Sequence, residues 1–189
     1  MLTGQRRQEI GGLEWAEISV TETKRQIELP GRRTKNKRPH IVPLSEAALA
    51  LLGPLPDDPP KHVFGDAHWS WDWSSGKAAL DKRIAERRGA PLEPWTLHDL
   101  RRSFTTHVRE NGFALPYVAE AILNHVSGVK SGVAGTYDRS TCLPERREAL
   151  EKWGRYLTGL VGGPLTPHQR NTPEKSDEIS NQLVNGTQG

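Results

Sequence analysis

Three short runs rich in β-branched residues, Ile18-Ser19-Val20, Gln26-Ile27-Glu28-Leu29 and His40-Ile41-Val42-Pro43-Leu44, crowd into one stretch near the start of the chain. The strongest apolar patterns after them repeat at helical steps. Turn chemistry separates the runs, in Pro30-Gly31 and in the polar Thr34-Lys35-Asn36-Lys37. Branched side chains favour a pleated surface, and short runs joined by such turns pair with their neighbours. The order predicts an α+β fold, mainly α-helical, with a small antiparallel β-sheet near the N-terminus.

The helical segments can be placed individually. Ile10, Leu13 and Trp15 have near-helical spacing within residues 5–15, although the paired Gly11 and Gly12 weaken that helix. Ser45 suits the N-cap of a helix from Glu46 to Leu52 that Gly53 ends, and a short strand is expected at Val63-Phe64. Residues 70–88, with Trp71, Leu80 and Ile84 among many charges, predict an amphipathic helix. Trp69, Trp71 and Trp73 read as packing residues rather than as a platform for stacked bases. Thr96 and Asp99 match a capping box, and Leu97, Leu100, Phe104 and Val108 follow at helical steps. Pro116 suits the first turn of the next helix, which runs through Val118, Ile122 and Leu123 to Asn124-His125. After the glycine-rich VSGVKSGVAG and Thr136-Tyr137, RREALEKWGRYL is helical again.

Composition narrows the function. With 189 residues, 34% hydrophobic and 26% charged, the chain suits one domain with a modest core. No apolar stretch approaches the ~18 residues needed to span a bilayer, and the first residues lack the order of a signal peptide. The expectation is a cytoplasmic protein without membrane partners. Cys142 stands alone, which excludes an intramolecular disulfide and a cysteine-based zinc site while leaving a His/carboxylate site open. Neither GxGxxG nor a P-loop is present, so nothing points to a nucleotide cofactor. Residues 164–189 are polar and turn-rich and read as a disordered tail.

The net charge is only +3, but the bases are clustered. Lys24, Arg25, Arg32, Arg33, Lys35, Lys37 and Arg38 form one group, and Lys82, Arg83, Arg87, Arg88, Arg101 and Arg102 another. Bases facing one side can neutralise several phosphates, whereas solvated basic faces are the plainer alternative. His98 and Arg101, three residues apart on one helix, project side by side and can engage one phosphate: arginine offers a planar fork of donors, histidine an exchangeable proton. His125 ends the next helix, Tyr137 follows beyond a flexible stretch, Arg6 lies at the start and Lys35 at or near a hairpin tip.

Taken together, TGQRRQEIGGLEW, RTKNKRPHIVPLS, HDLRRSFTTH, LNH and TYDR resemble, in order and approximate spacing, the motifs of the tyrosine recombinases, the phage integrase family. The resemblance covers residues 2 to about 157 and implies a catalytic domain over residues 1–163. It implies that Arg6 is the first catalytic arginine, Lys35 the hairpin lysine with Lys37 a close alternative, His98 and Arg101 the H-x-x-R pair, His125 the later histidine and Tyr137 the nucleophile. Glu9 would brace the arginines. Two features depart from the family pattern. The chain opens at the first motif, where family members usually carry further helices and a core-binding domain, and three glycines lengthen the interval from His125 to Tyr137.

The implied activity is that of a site-specific DNA recombinase working through a 3′-phosphotyrosyl intermediate, with no cofactor and no metal. The implied partners are double-stranded attachment-site DNA, further copies in a tetramer on that DNA, and a directionality or host DNA-bending factor. An inactive DNA-binding remnant of an integrase and a type IB topoisomerase-like enzyme are the alternative readings.

Overall fold

In the computed structural model the described residues are 1–65, 73–125 and 142–165. The fold is α+β. Helix α1 (Arg7–Gly11) is followed by a 3-10 turn at Trp15–Glu17 and then by strands β1 (Ile18–Val20), β2 (Arg25–Leu29) and β3 (His40–Pro43). Helices α2 (Glu46–Leu52), α3 (Trp73–Arg88), α4 (Asp99–Glu110), α5 (Pro116–Ile122) and α6 (Leu143–Leu160) complete the described elements. No helix among the described residues is long and apolar enough to cross a membrane.

The strands form an antiparallel sheet in the order β1-β2-β3, with Ile18 opposite Ile27 and Ile27 opposite Val42. Because side chains alternate along a strand, this register puts Ile18, Ile27, Leu29 and Val42 on one face, and all four are buried. Helices supply much of the rest of the core, and Leu2, Leu13, Leu44 and Val63 join it from connecting segments. Phe104 and Val108 come from α4, Val118, Ala119 and Ile122 from α5, and Ala149, Leu150 and Trp153 from α6. The Phe104 and Trp153 rings meet edge to face at 5.5 Å, the geometry their quadrupoles favour.

Most helix boundaries follow the expected caps. Ser45 Oγ accepts the Ala48 N–H, Gly53 ends α2 at a φ of +71°, and Pro116 opens α5. The Asp99 carboxylate accepts from both the backbone N–H and the hydroxyl of Thr96, at 2.8 and 2.7 Å, but the pair ties the turn ahead of the helix: α4 begins at Asp99 with His98, not Thr96, at its N-cap.

Three expectations need correction. The helix expected over residues 5–15 stops at Gly11, with Gly12 as its cap, because paired glycines carry a high entropic cost and the chain turns there into the 3-10 segment. Val63 is buried but extends no sheet; His62 makes an isolated bridge with Glu14, and the Val63 N–H donates to the Leu13 carbonyl at 2.9 Å. Helix α3 has no buried residue, and the amphipathic reading overstated it. Its half-buried positions 73, 77, 80, 81, 84 and 85 do recur at helical spacing, but Lys77 and Asp81 share the stripe with Leu80 and Ile84. Trp73 packs at the rim: Arg7 lies 5.8 Å from its ring centroid, and a Cβ at Gly11 would come within 2.5 Å of it. Trp69, Trp71 and the tail beyond residue 165 lie outside the described residues.

Trp153 is wholly buried against Phe104 and stacks on Tyr156. Trp153→Ala should destabilise the fold by about 3–5 kcal/mol in urea unfolding. A loss below about 1 kcal/mol would show that the surrounding helices close the gap.

Candidate active site

The first motif is shaped by one glycine. Gly4 has a φ of +65°, and a Cβ there would lie 2.8 Å from two carbons of the Phe104 ring, so both the backbone and the space demand glycine. Its carbonyl accepts from Arg101 Nη1 at 2.6 Å. The chain then enters α1 through Arg6, at the N-cap, and places Glu9 beneath it.

Glu9, 3% exposed, holds two segments together. Its carboxylate accepts from the Arg6 backbone N–H and from Arg6 Nη1, both at 3.2 Å, and from the backbone N–H of Lys35 at 3.4 Å. The Glu9 carbonyl accepts from Arg33 at 3.0 Å, and Arg33 forks onto both oxygens of Glu17 at 2.9 Å. Such paired, charge-assisted bonds fix a second 3-10 turn, Gly31–Arg33, which precedes Lys35.

Arg6, Lys35, His98 and Arg101 line one cleft, together with Gln5, Arg7, Gln8, Thr96 and Leu97. Lys37 is not among the lining residues, so geometry separates the two lysines that spacing left close. His98, at the N-cap of α4, is exposed. Arg101, one turn further along, is 6% exposed. Burial, and next the nearby Arg6 cation, lower its pKa to about 10, which leaves it a cation at neutral pH.

His125 joins the cleft through Arg101. Arg101 Nη2 donates to the Leu123 carbonyl at 2.6 Å and meets His125 Nε2 at 3.0 Å, while His125 Nδ1 faces Glu120 at 2.8 Å. A guanidinium has no lone pair to accept with, so Nε2 is the acceptor here and the ring proton sits on Nδ1, toward the carboxylate. Tyr137 lies outside the described residues.

Four residues of this network carried no signal of their own in the sequence. Gln5 Nε2 donates to the Ile122 carbonyl at 2.8 Å, and His40 Nε2 donates to the same oxygen at 3.0 Å. Asn36 Nδ2 donates to the Asn124 carbonyl at 2.8 Å and to Asn124 Oδ1 at 2.9 Å. All four sit inside the quoted motifs, and adjacency to the candidate residues was the only available clue. As a whole, the site sets the side chains of three arginines, Arg6, Arg7 and Arg101, and the lysine Lys35 around a space that suits a phosphate.

His40 is 6% exposed. Burial first, then the Arg146, Arg101 and Arg6 cations, lower its pKa to about 4 against the raising effect of the Ile122 bond. An unfolded histidine titrates near 6.5, so between pH 6.5 and 4 the unfolded chain binds the extra proton and stability falls as pH falls, by roughly 3 kcal/mol in total. His40→Gln, which keeps a donor for the Ile122 carbonyl, should flatten this part of the stability–pH curve in urea titrations. Equal slopes for the two proteins would mean that His40 is already charged in the fold.

The model of the phage integrase family matches residues 1–131, a stretch that contains Arg6, Lys35, His98, Arg101 and His125 and ends short of Tyr137. The chain is similar to prophage integrase IntZ of Escherichia coli (strain K12), with 29% identity over 170 residues that cover 88% of the chain and 40% of that protein. Prophage integrase IntA of the same organism is 30% identical over 169 residues, covering 87% of the chain and 38% of that protein. The chain therefore spans about 40% of the length of these curated relatives. No solved structure matches it. A cleft that gathers the basic motifs, and a family match over more than half of the sequence, have one common explanation: the chain belongs to the phage integrase family.

Proposed function

We propose that the chain is the catalytic domain of a site-specific DNA recombinase that cleaves and rejoins strands through a 3′-phosphotyrosyl intermediate. The observation that carries this reading is the convergence of Arg6, Lys35, His98 and Arg101 on one cleft, with His125 bonded to Arg101. Arg6 and Arg101 hold the non-bridging oxygens of the scissile phosphate and stabilise the charge that gathers there in the transition state. One such donor is worth ~3 kcal/mol by analogy with oxyanion holes.

Tyr137 supplies the nucleophile. Ionising a phenol of pKa about 10 at neutral pH costs roughly 4 kcal/mol, which a base taking the proton during attack avoids. His98, open to the cleft, takes that proton. The phenolic oxygen bonds to phosphorus, the bond to the 5′ oxygen breaks, and Lys35 gives that oxygen a proton. His125 donates to a phosphoryl oxygen once protonated and released from Arg101, with Glu120 orienting the ring. The phosphotyrosyl ester keeps the bond energy, so rejoining needs no added energy source. Duplex attachment-site DNA and a tetramer assembled on it belong to the same reading.

The test uses a pool of nicked duplexes with randomised sequence around the nick, in which the short 5′-hydroxyl fragment diffuses away and traps the intermediate. The chain should form a detergent-resistant protein–DNA adduct that Tyr137→Phe abolishes. An adduct that survives this change refutes the assignment, and salt-sensitive duplex binding without any adduct would identify a DNA-binding remnant. Relaxation of a supercoiled plasmid without site preference would instead support the topoisomerase-like reading.

A further inference from the structure

Lys35 is exposed and sits in the long connection between β2 and β3, an arrangement that by itself holds an ammonium poorly. The connection is knitted internally. Thr34 Oγ1 donates to the Arg38 carbonyl at 2.8 Å, the Arg38 N–H donates to Asn36 Oδ1 at 3.1 Å, and Lys37 turns the chain at a φ of +61°. Gly31 lets the two ends close, since a Cβ there would lie 2.5 Å from the Lys37 carbonyl oxygen.

The next residue ties this connection to a distant part of the chain. Asn36 and Asn124, 88 residues apart, exchange side-chain amide bonds in both directions, with Asn124 Nδ2 returning a bond to Asn36 Oδ1 at 3.2 Å. Asn124 adopts a left-handed φ of +52°, which few side chains other than asparagine tolerate. Each partner is the immediate neighbour of a candidate catalytic side chain, Lys35 in one case and His125 in the other. Asn36 Oδ1 also accepts from Arg38, so one amide shapes the connection from within and fastens it from outside.

We propose that the Asn36–Asn124 amide pair is a positioning clasp that holds Lys35 at the leaving oxygen and in register with His125. The proposal rests on the recombinase reading and adds two residues to it. Neither asparagine touches the phosphate; both act through the ammonium whose backbone they hold. Without the clasp, the links that remain lie on the near side of Lys35, in the Arg33 bonds to the Glu9 carbonyl and to Glu17 and in the Glu9 bond to the Lys35 N–H, which at 3.4 Å is a long one.

The experiment follows single-turnover cleavage of a nicked duplex recovered from the randomised pool, made with either oxygen or sulfur at the 5′ bridging position. A thiolate leaves without being protonated, so a defect in acid catalysis disappears on the sulfur duplex and a general structural defect does not. Asn36→Ala, which removes every bond of the pair, should slow the oxygen duplex by about 10- to 100-fold, the scale expected for a misplaced catalytic group, and Asn124→Gly, which keeps the Asn36 Nδ2 bond to the 124 carbonyl, should slow it by less, about 3- to 10-fold. Glycine at 124 accepts the left-handed backbone, so this variant keeps the fold if Asn36→Ala does not. On the sulfur duplex both variants, and Lys35→Ala, should come within about 3-fold of the unaltered chain. The double variant should be no slower than the slower single one, because both changes break one coupling.

Unaltered rates in both single variants, or equal slowing on the two duplexes, would overturn the clasp. A Lys35→Ala defect that persists on sulfur would overturn it as well, by removing the acid that it positions. An unaltered chain that forms no adduct defeats the recombinase reading and the clasp together, and so differs from a clasp that fails in an active protein.

Discussion

The C-terminal end of α5 organises this structure. A helix leaves its last carbonyls without partners in its own backbone, and when such an end is buried other groups must satisfy them. Here the donors come from across the sequence. Gln5 and His40 both donate to the Ile122 carbonyl, Arg101 to that of Leu123, and Asn36 to that of Asn124. Three segments far apart in the chain, those that carry Arg6, Lys35 and Arg101, are thereby drawn to one helix end, which itself leads into His125.

Gathering cations in this way is unfavourable unless their charge is managed. Arg6 and Arg101 are close enough for each to feel the other, and burial adds to the cost at Arg101. The buried Glu9 offsets part of that repulsion and at the same time fixes the backbone on either side of the cleft. His40 relieves it differently, by remaining neutral while it donates to Ile122. A phosphodiester anion entering the cleft would offset part of the charge that remains.

Much of the fold was legible because its signals are local. Ser45 announces a helix start through a bond to Ala48, Pro116 does so through its fixed φ, the Thr96–Asp99 pair ties the turn that leads into α4, and the alternation in the three β-runs sets the face that the sheet buries. The misreadings came where local pattern was silent about surroundings. Helix α3 has helical spacing, but periodicity does not say how deeply a stripe is covered, and Val63 is apolar because it fills the core rather than because it pairs in a sheet. The candidate residues Arg6, Lys35, His98, Arg101 and His125 were readable from short motifs, whereas Gln5, Asn36, His40 and Asn124 were not. Their roles depend on carbonyls tens of residues away.

The sequence by itself therefore determined the α+β class, the starts of α2 and α5 and the set of candidate side chains, since propensity, capping and charge act over a few neighbouring residues. Tertiary structure alone decided that these side chains share a cleft, that Lys35 rather than Lys37 lines it, and that Arg101 meets both Gly4 and His125. The physical reason is the same in each case. A buried carbonyl or carboxylate takes whichever donor the packed core brings within about 3 Å, and that pairing leaves no trace in local spacing.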